Sequence, residues 1–222
     1  MRMRALVIGM SGGIGRAVAG HLAGQGADVV GLSRRADGFD ITDEASIARH
    51  LGAQEGHFDL IFTATGALEL NGAAPEKAMR GLDPAVMAAQ FAINAIGPAL
   101  VLKHSLRLMP KDREARFAAL SARVGSIGDN RLGGWHSYRA AKAALNQLIH
   151  TAAIEVARSH PQAVVVALHP GTVSTPLTAK YAGNHPTVTP DQAAANLLGV
   201  LGALTPAQSG GFFDWQGKTI PW

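Results

Sequence analysis

Short, nearly unbroken apolar runs alternate along this chain with longer segments whose apolar residues recur at helical spacing. The runs are RALVIG (Arg4–Gly9), ADVVGLSRR (Ala27–Arg35), FDLIFTATG (Phe58–Gly66), ARFAALSA (Ala115–Ala122), AVVVALHPG (Ala163–Gly171) and SGGFFDW (Ser209–Trp215). Each is rich in β-branched or aromatic residues or bounded by glycine, and reads as a buried strand. Between them, Ile14, Val18 and Leu22 keep one helical face, and Gly24–Gly26 ends that segment. Thr42–Ala53 opens with Thr42 or Asp43 as N-cap. Asp83–Met109 begins with an Asp–Pro start signal, and Ser137–Ser159 and Thr189–Leu204 complete the helices. Strand alternating with helix predicts a parallel sheet covered on both faces, in which ligands sit at the carboxyl ends of the strands. Chemistry is therefore expected just after Gly9, Ser33, Thr65, Leu120 and Leu168.

Composition narrows the picture. The 222 residues carry no repeat and suit one domain, with 47% apolar and 16% charged residues. Cysteine is absent, which removes disulfides and thiolate metal sites, and the nine histidines form no H-E-x-x-H, so no metal is expected. The opening MRMRALVIGMSGGIG breaks into glycines where a leader would carry a cleavage site. No uninterrupted apolar stretch approaches the ~20 residues of a membrane span. The expectation is a cytoplasmic protein without a membrane partner. The charge of +4 is spread out, gathering only at Arg34–Arg35 and Lys111–Arg113, and aromatics reach 5%. A nucleic-acid partner would need a concentrated basic stripe with stacking platforms, so none is expected.

GMSGGIG, directly after the first strand, places Gly9, Gly13 and Gly15 where backbone must approach a pyrophosphate, with Ser11 and Ile14 between them. The same letters fit a G-x-S-x-G nucleophile elbow around Ser11, but only one strand precedes it, so the hydrolase scaffold is missing. The second strand ends in Ser33 and Arg34 with no acid before Asp37. An arginine there suits a ribose 2′-phosphate, favouring NADP(H) over NAD(H), while Asp40 and Ile41 are placed to line the adenine. Thr65 and Gly66, ending the third run, complete that wall.

Tyr138 and Lys142 stand four residues apart on a predicted helix and leave the same face. A phenol ordinarily titrates near ~10, and a neighbouring cation favours its ionised form. With the glycine turn, SYRAAK and HPGTVSTPL, the chain resembles the short-chain dehydrogenase/reductase family nearly end to end, and the tail SGGFFDWQGKTIPW resembles its C-factor-like subgroup. The resemblance implies a single-domain, Rossmann-type, doubly wound sheet of seven strands with helices on both faces. It implies Tyr138 as acid or base, Lys142 as its helper and ribose ligand, and Asn94 as holder of a water joining the lysine to solvent. It also implies Pro170, Gly171, Thr172 and Val173 as the segment against the nicotinamide. In the reducing direction Tyr138 would protonate a small carbonyl substrate as the cofactor delivers hydride.

Two departures stand out. The family's S-x-x-G ends at Gly125 here, which puts Ala122 where the serine belongs, and its NNAG reads TATG (Thr63–Gly66). Ser121 and Ser126 are the candidates to replace the hydroxyl, although strand alternation would turn Ser121 to the opposite face. His136 is expected at the surface. Trp135 and Thr175–Thr189, with Gly183-Asn184 at its centre, are expected to cover the substrate. The two long helices are implied to pair subunits into a homodimer or homotetramer. The rival reading is an NADP(H)-binding signalling or sensor protein with little or no turnover.

Overall fold

The computed structural model describes residues 2–70, 72–181 and 186–222. Strands β1 (Arg4–Ile8), β2 (Asp28–Leu32), β3 (Leu60–Thr63), β4 (Ala115–Leu120), β5 (Ala163–His169) and β6 (Phe212–Asp214) form one sheet in the order β2-β1-β3-β4-β5-β6, parallel throughout. The helices are α1 (Gly13–Gly24), the short α2 (Arg34–Asp37), α3 (Glu44–Gly52), α4 (Pro84–Phe91), α5 (Gly97–Ser105), α6 (His136–Val156) and α7 (Pro190–Ala203). Along β1, Ala5 and Val7 join one buried cluster with α1 and α7, while Leu6 and Ile8 join the other with α3, α5 and α6. Burial on both faces is why the strands read as continuous apolar runs. The chain winds from β1 outward to β2, then crosses back to β3 on the other side of β1. The reversal opens a crevice at the carboxyl ends of β1 and β3.

Among the described residues the sheet has six strands, not seven. Residues 33–59 are taken up by α2, a loop that buries Phe39 and Ile41, and α3, and then return directly to β3. No chain is left to add a strand outside β2.

The expected single helix over 83–109 is instead α4, a π-helical turn over Ala92–Ile96, α5 and a closing 3₁₀ turn. Pro98 has no N–H to give the carbonyl of Asn94, and Gly97 N–H reaches back to Ala92 O in the wider π pattern. Gly97 is held to glycine by packing: a Cβ there would lie 2.5 Å from the carbonyl of Ile41. By length and composition alone the helical stretch Pro84–Leu108 could cross a membrane, though Gln90 and Asn94 interrupt its apolar run. Here it covers the sheet, with Val101 and Leu102 in the core and the amides of Gln90 and Asn94 buried.

Candidate active site

The glycine turn is built by close approach. Gly9 takes a φ of 87°, and a Cβ on Gly15 would fall 2.3 Å from the carbonyl oxygen of Gly9. The turn is tied to the end of β2, since Gly9 N–H donates to Leu32 O at 2.8 Å. Helix α1 begins with no side-chain cap and no acid in its first turn. Its first N–H groups therefore face the crevice as donors for an anion.

A cavity of about 770 Å³ runs from this turn across the ends of β3, β4 and β5. Ser11, Gly13 and Ile14 line one end, Thr65 and Gly66 the middle, and Tyr138, Lys142 and Pro170–Val173 the far side. Among the described residues the lining contains no aspartate or glutamate. Glycines at points of backbone contact, an uncapped helix start and an acid-free wall fit a dinucleotide.

Tyr138 and Lys142 both leave α6 toward the cavity and are both buried. Lys142 Nζ donates to Leu120 O at 2.9 Å and lies 5.9 Å from the centre of the Tyr138 ring. Burial pulls the lysine down to about 7 and pushes the phenol up to about 12. In the bare protein desolvation therefore outweighs the attraction that the Tyr–Lys spacing suggests. Restoring the charged forms takes charges brought by a ligand, a cation over the phenol or an anion beside the ammonium.

Asn94, in the π turn, is fully buried. Its Nδ2 donates to Ala67 O at 2.8 Å and to Gln90 Oε1 at 2.6 Å, and its Oδ1 accepts from Ala67 N–H. A Cβ on Gly66 would sit 3.1 Å from Asn94 Oδ1 and 3.5 Å from Lys142 Nζ, so both polar groups gather around that glycine.

Ala122 lines the cavity in an extended conformation, so no hydroxyl stands there. Gly125 allows this loop to lie against α6, where a Cβ would come 2.8 Å from Lys142. Ser121 follows the end of β4, and its backbone N–H still bonds Leu168 O. It borders the cavity, but its Oγ donates to Asn146 Oδ1 at 2.6 Å. Ser126 is not part of the lining. Its Oγ donates to Pro221 O and accepts from Asp129 N–H, pinning the C-terminal segment to the loop. Thus neither serine holds a free hydroxyl proton toward the cavity.

Four further sequence-predicted residues lie outside the cavity. Ser33 caps α2, accepting from Ala36 N–H, and its own N–H and Oγ donate to Asp37. Arg34 is exposed at the start of α2, two residues past the carbonyl that receives Gly9 N–H. Asp40 accepts from the backbone N–H and hydroxyl of Thr42, and these bonds hold its carboxyl below the usual value. Ile41 is buried against Gly97 and so supports the wall from behind. His136 also stays outside the lining.

The described part of the cover reaches across the cavity. Thr175, Leu177, Thr178 and Tyr181 border the cavity, and Lys180 and Tyr181 both bond Glu69 on the opposite side, the lysine at 2.9 Å. Gly183 and Asn184 lie outside the described residues. Trp135 sits in the left-handed region with a φ of 52° and meets both Tyr138 and Tyr181 edge-on. Just before Tyr138, Glu76 accepts from the N–H and hydroxyl of Ser137, an anion at the start of α6.

Sequence reasoning did not pick out His169, Arg123 or Arg139, all of which border the cavity. His169 precedes the PGTV segment, and Arg139 follows the tyrosine. Neither position carries a spacing signal of its own. His169 Nδ1 is buried without a partner, and burial together with Arg123 pulls its pKa down to about 4, against the opposing pull of Asp214.

Residues 9–208 match a family profile described as enoyl-(acyl carrier protein) reductase. The chain is 32% identical, over 98% of both chains, to the 1-hydroxy-2-glutathionyl-2-methyl-3-butene dehydrogenase of Rhodococcus sp. strain AD45. It is 36% identical to the C-signal protein of Myxococcus xanthus, over 65% of this chain and 84% of that one. Among solved structures, a Burkholderia multivorans protein assigned as a short-chain dehydrogenase/reductase, with NADP bound, superposes with a TM-score of 0.83 at 27% identity over the whole of both chains. NADPH-bound carbonyl reductase from chicken fatty liver superposes with a TM-score of 0.85 at 25% identity, again over the whole of both chains.

Proposed function

Because the chain belongs to the short-chain dehydrogenase/reductase family, we propose that it is an NADP(H)-dependent oxidoreductase of a small carbonyl or alcohol. The observation that carries the reading is the pair Tyr138 and Lys142, buried side by side on α6 in a cavity that also contains the glycine turn. Gly9, Gly13 and Gly15 with the open start of α1 would hold the pyrophosphate, and Pro170–Val173 the nicotinamide end. When bound, the dinucleotide supplies or accepts the hydride. Tyr138 holds the substrate oxygen and moves its proton. Lys142 fixes the charge beside the phenol, while Asn94 and Leu120 O orient the lysine's surroundings.

The preference for NADP(H) is supported by Arg34. It is exposed next to the glycine turn, and β2 ends without an acid. Side-by-side oxidation of NADPH and NADH against a panel of aldehydes, ketones and quinones tests both statements. Turnover with NADPH is expected, and Arg34→Ala raises its KM by about tenfold or more while changing that for NADH little. Equal use of both cofactors by the native protein would refute the assignment of Arg34.

We also propose that the protein is a homodimer or homotetramer joined through α4–α5 and α6. Ile96, Leu148 and Ile154, at 49, 40 and 55% exposure, leave apolar surface on these helices. Light scattering on the purified chain should give at least twice the 23.0 kDa monomer mass. A mass of one chain at micromolar concentration rejects this.

A further inference from the structure

Among the described residues, three lysine or arginine side chains border the cavity and no acid does. Lys142 belongs to the chemistry already described. Arg123 is compensated: its Nε lies 2.5 Å from Asp129 Oδ2, and Asp214 Oδ2 lies 3.8 Å from its Nη1. Arg139 is different. Its Nε donates to Gly134 O at 3.0 Å and its Nη1 to Val124 O at 3.3 Å, which clamps the guanidinium between the two loops flanking the catalytic face. Among the described residues no carboxylate pairs with it, and none accepts a hydrogen bond from its Nη2. Burial pulls it below the usual arginine value, with no acid to offset the desolvation. A partly dried, geometrically fixed cation without a counter-charge is a receptor for an anion.

The anion is not the cofactor's. Phosphate groups are accounted for at the glycine turn after β1 and at Arg34 after β2. Arg139 holds the loop after β4, two strand positions from β1 and three from β2, about 10 and 14 Å along the sheet. That is the substrate end, walled by Leu132, Trp135, Leu177 and Tyr181. We propose that the substrate of this site carries a carboxylate, which Arg139 binds through its free guanidinium edge while Tyr138 addresses the reacting oxygen. The proposal rests on the site being that of an NADP(H)-dependent oxidoreductase, and it names the substrate class.

Two matched aldehydes test it, 4-formylbenzoate and methyl 4-formylbenzoate, each with NADPH. The native protein should favour the carboxylate in kcat/KM by about 10–100-fold, mainly through KM. Arg139→Gln should bring the ratio close to one, and Arg139→Lys should retain part of it. Because the readout is a ratio, general damage to the variant cancels. A native ratio near one, or the same ratio in native and Arg139→Gln, overturns the proposal. If neither aldehyde turns over, calorimetry of the protein–NADP⁺ complex with unreactive 4-methylbenzoate decides. Binding that weakens by about tenfold or more in Arg139→Gln supports the assignment, and equal binding defeats it. Absence of NADP⁺ binding itself would bring down the oxidoreductase reading, and this inference with it, and that result is distinct from the others.

Discussion

Tyr138→Phe lowers kcat by about 10²–10⁴-fold while NADPH binding weakens by less than about tenfold. The change removes one oxygen and keeps the ring. The ring contributes to the fold, being buried and edge-on to Trp135, so the helix and the cavity wall survive. What is lost is the proton held toward the substrate, and with Ala122 beside it no side-chain hydroxyl of the 121–126 loop is free to take over. Cofactor contacts at the glycine turn and at Pro170–Val173 are untouched. Single-turnover rates and a fluorescence titration with NADPH, done on the same preparation, measure the two quantities. A variant retaining more than a tenth of native turnover would show that the proton comes from elsewhere. A native protein that binds NADPH but turns over nothing would return the question to the signalling reading.

The fold was legible because its signals are local. Burial on both faces writes the strands as unbroken apolar runs, and glycine marks a place in the first turn where backbone touches backbone, Gly15 against Gly9. Asp83-Pro84 marks the start of α4 for an equally local reason, since Asp83 accepts from Ala85 and Val86 N–H groups. The strand count failed because it came from the resemblance, whereas the stretch between β2 and β3 has room only for α2, a buried loop and α3. The π turn was hidden because Gly97-Pro98 reads as a flaw in a helix, not as the device that reshapes it around Asn94.

At the site, Tyr138, Lys142 and the glycines announce themselves by spacing. Arg139 and His169 do not. Their roles depend on which wall they border and on the partners they lack, and both facts are settled by packing among segments far apart in sequence. The same holds for the serines. Sequence offered both Ser121 and Ser126, with strand alternation counting against Ser121. Only the fold shows that one hydroxyl is spent on Asn146 and the other on the carbonyl of Pro221.

Ala122→Ser raises kcat by about tenfold or more with a carbonyl substrate. The position borders the same cavity as Tyr138, is neither fully buried nor constrained by a positive φ, and a hydroxyl there adds one atom to an extended residue. One positioned donor to a developing oxyanion is worth about 2.7–4 kcal/mol, or 10²–10³ in rate, where a site has been built around it. Part of that should be recovered here, because the loop is already fixed by Gly125 against Lys142 and by the Oγ of Ser126. The gain belongs in kcat, since the bond strengthens as charge develops on oxygen, while KM for NADPH stays within about twofold. Ser121→Ala is the companion variant. With its hydroxyl proton directed at Asn146, the loss of that group should cost stability rather than rate, read as a lower melting temperature with kcat nearly unchanged. If Ala122→Ser instead leaves kcat unchanged or lowers it, the oxygen is already held by another donor. Ala122 would then be the space that the substrate fills, and the buried, neutral His169 becomes the group to vary next.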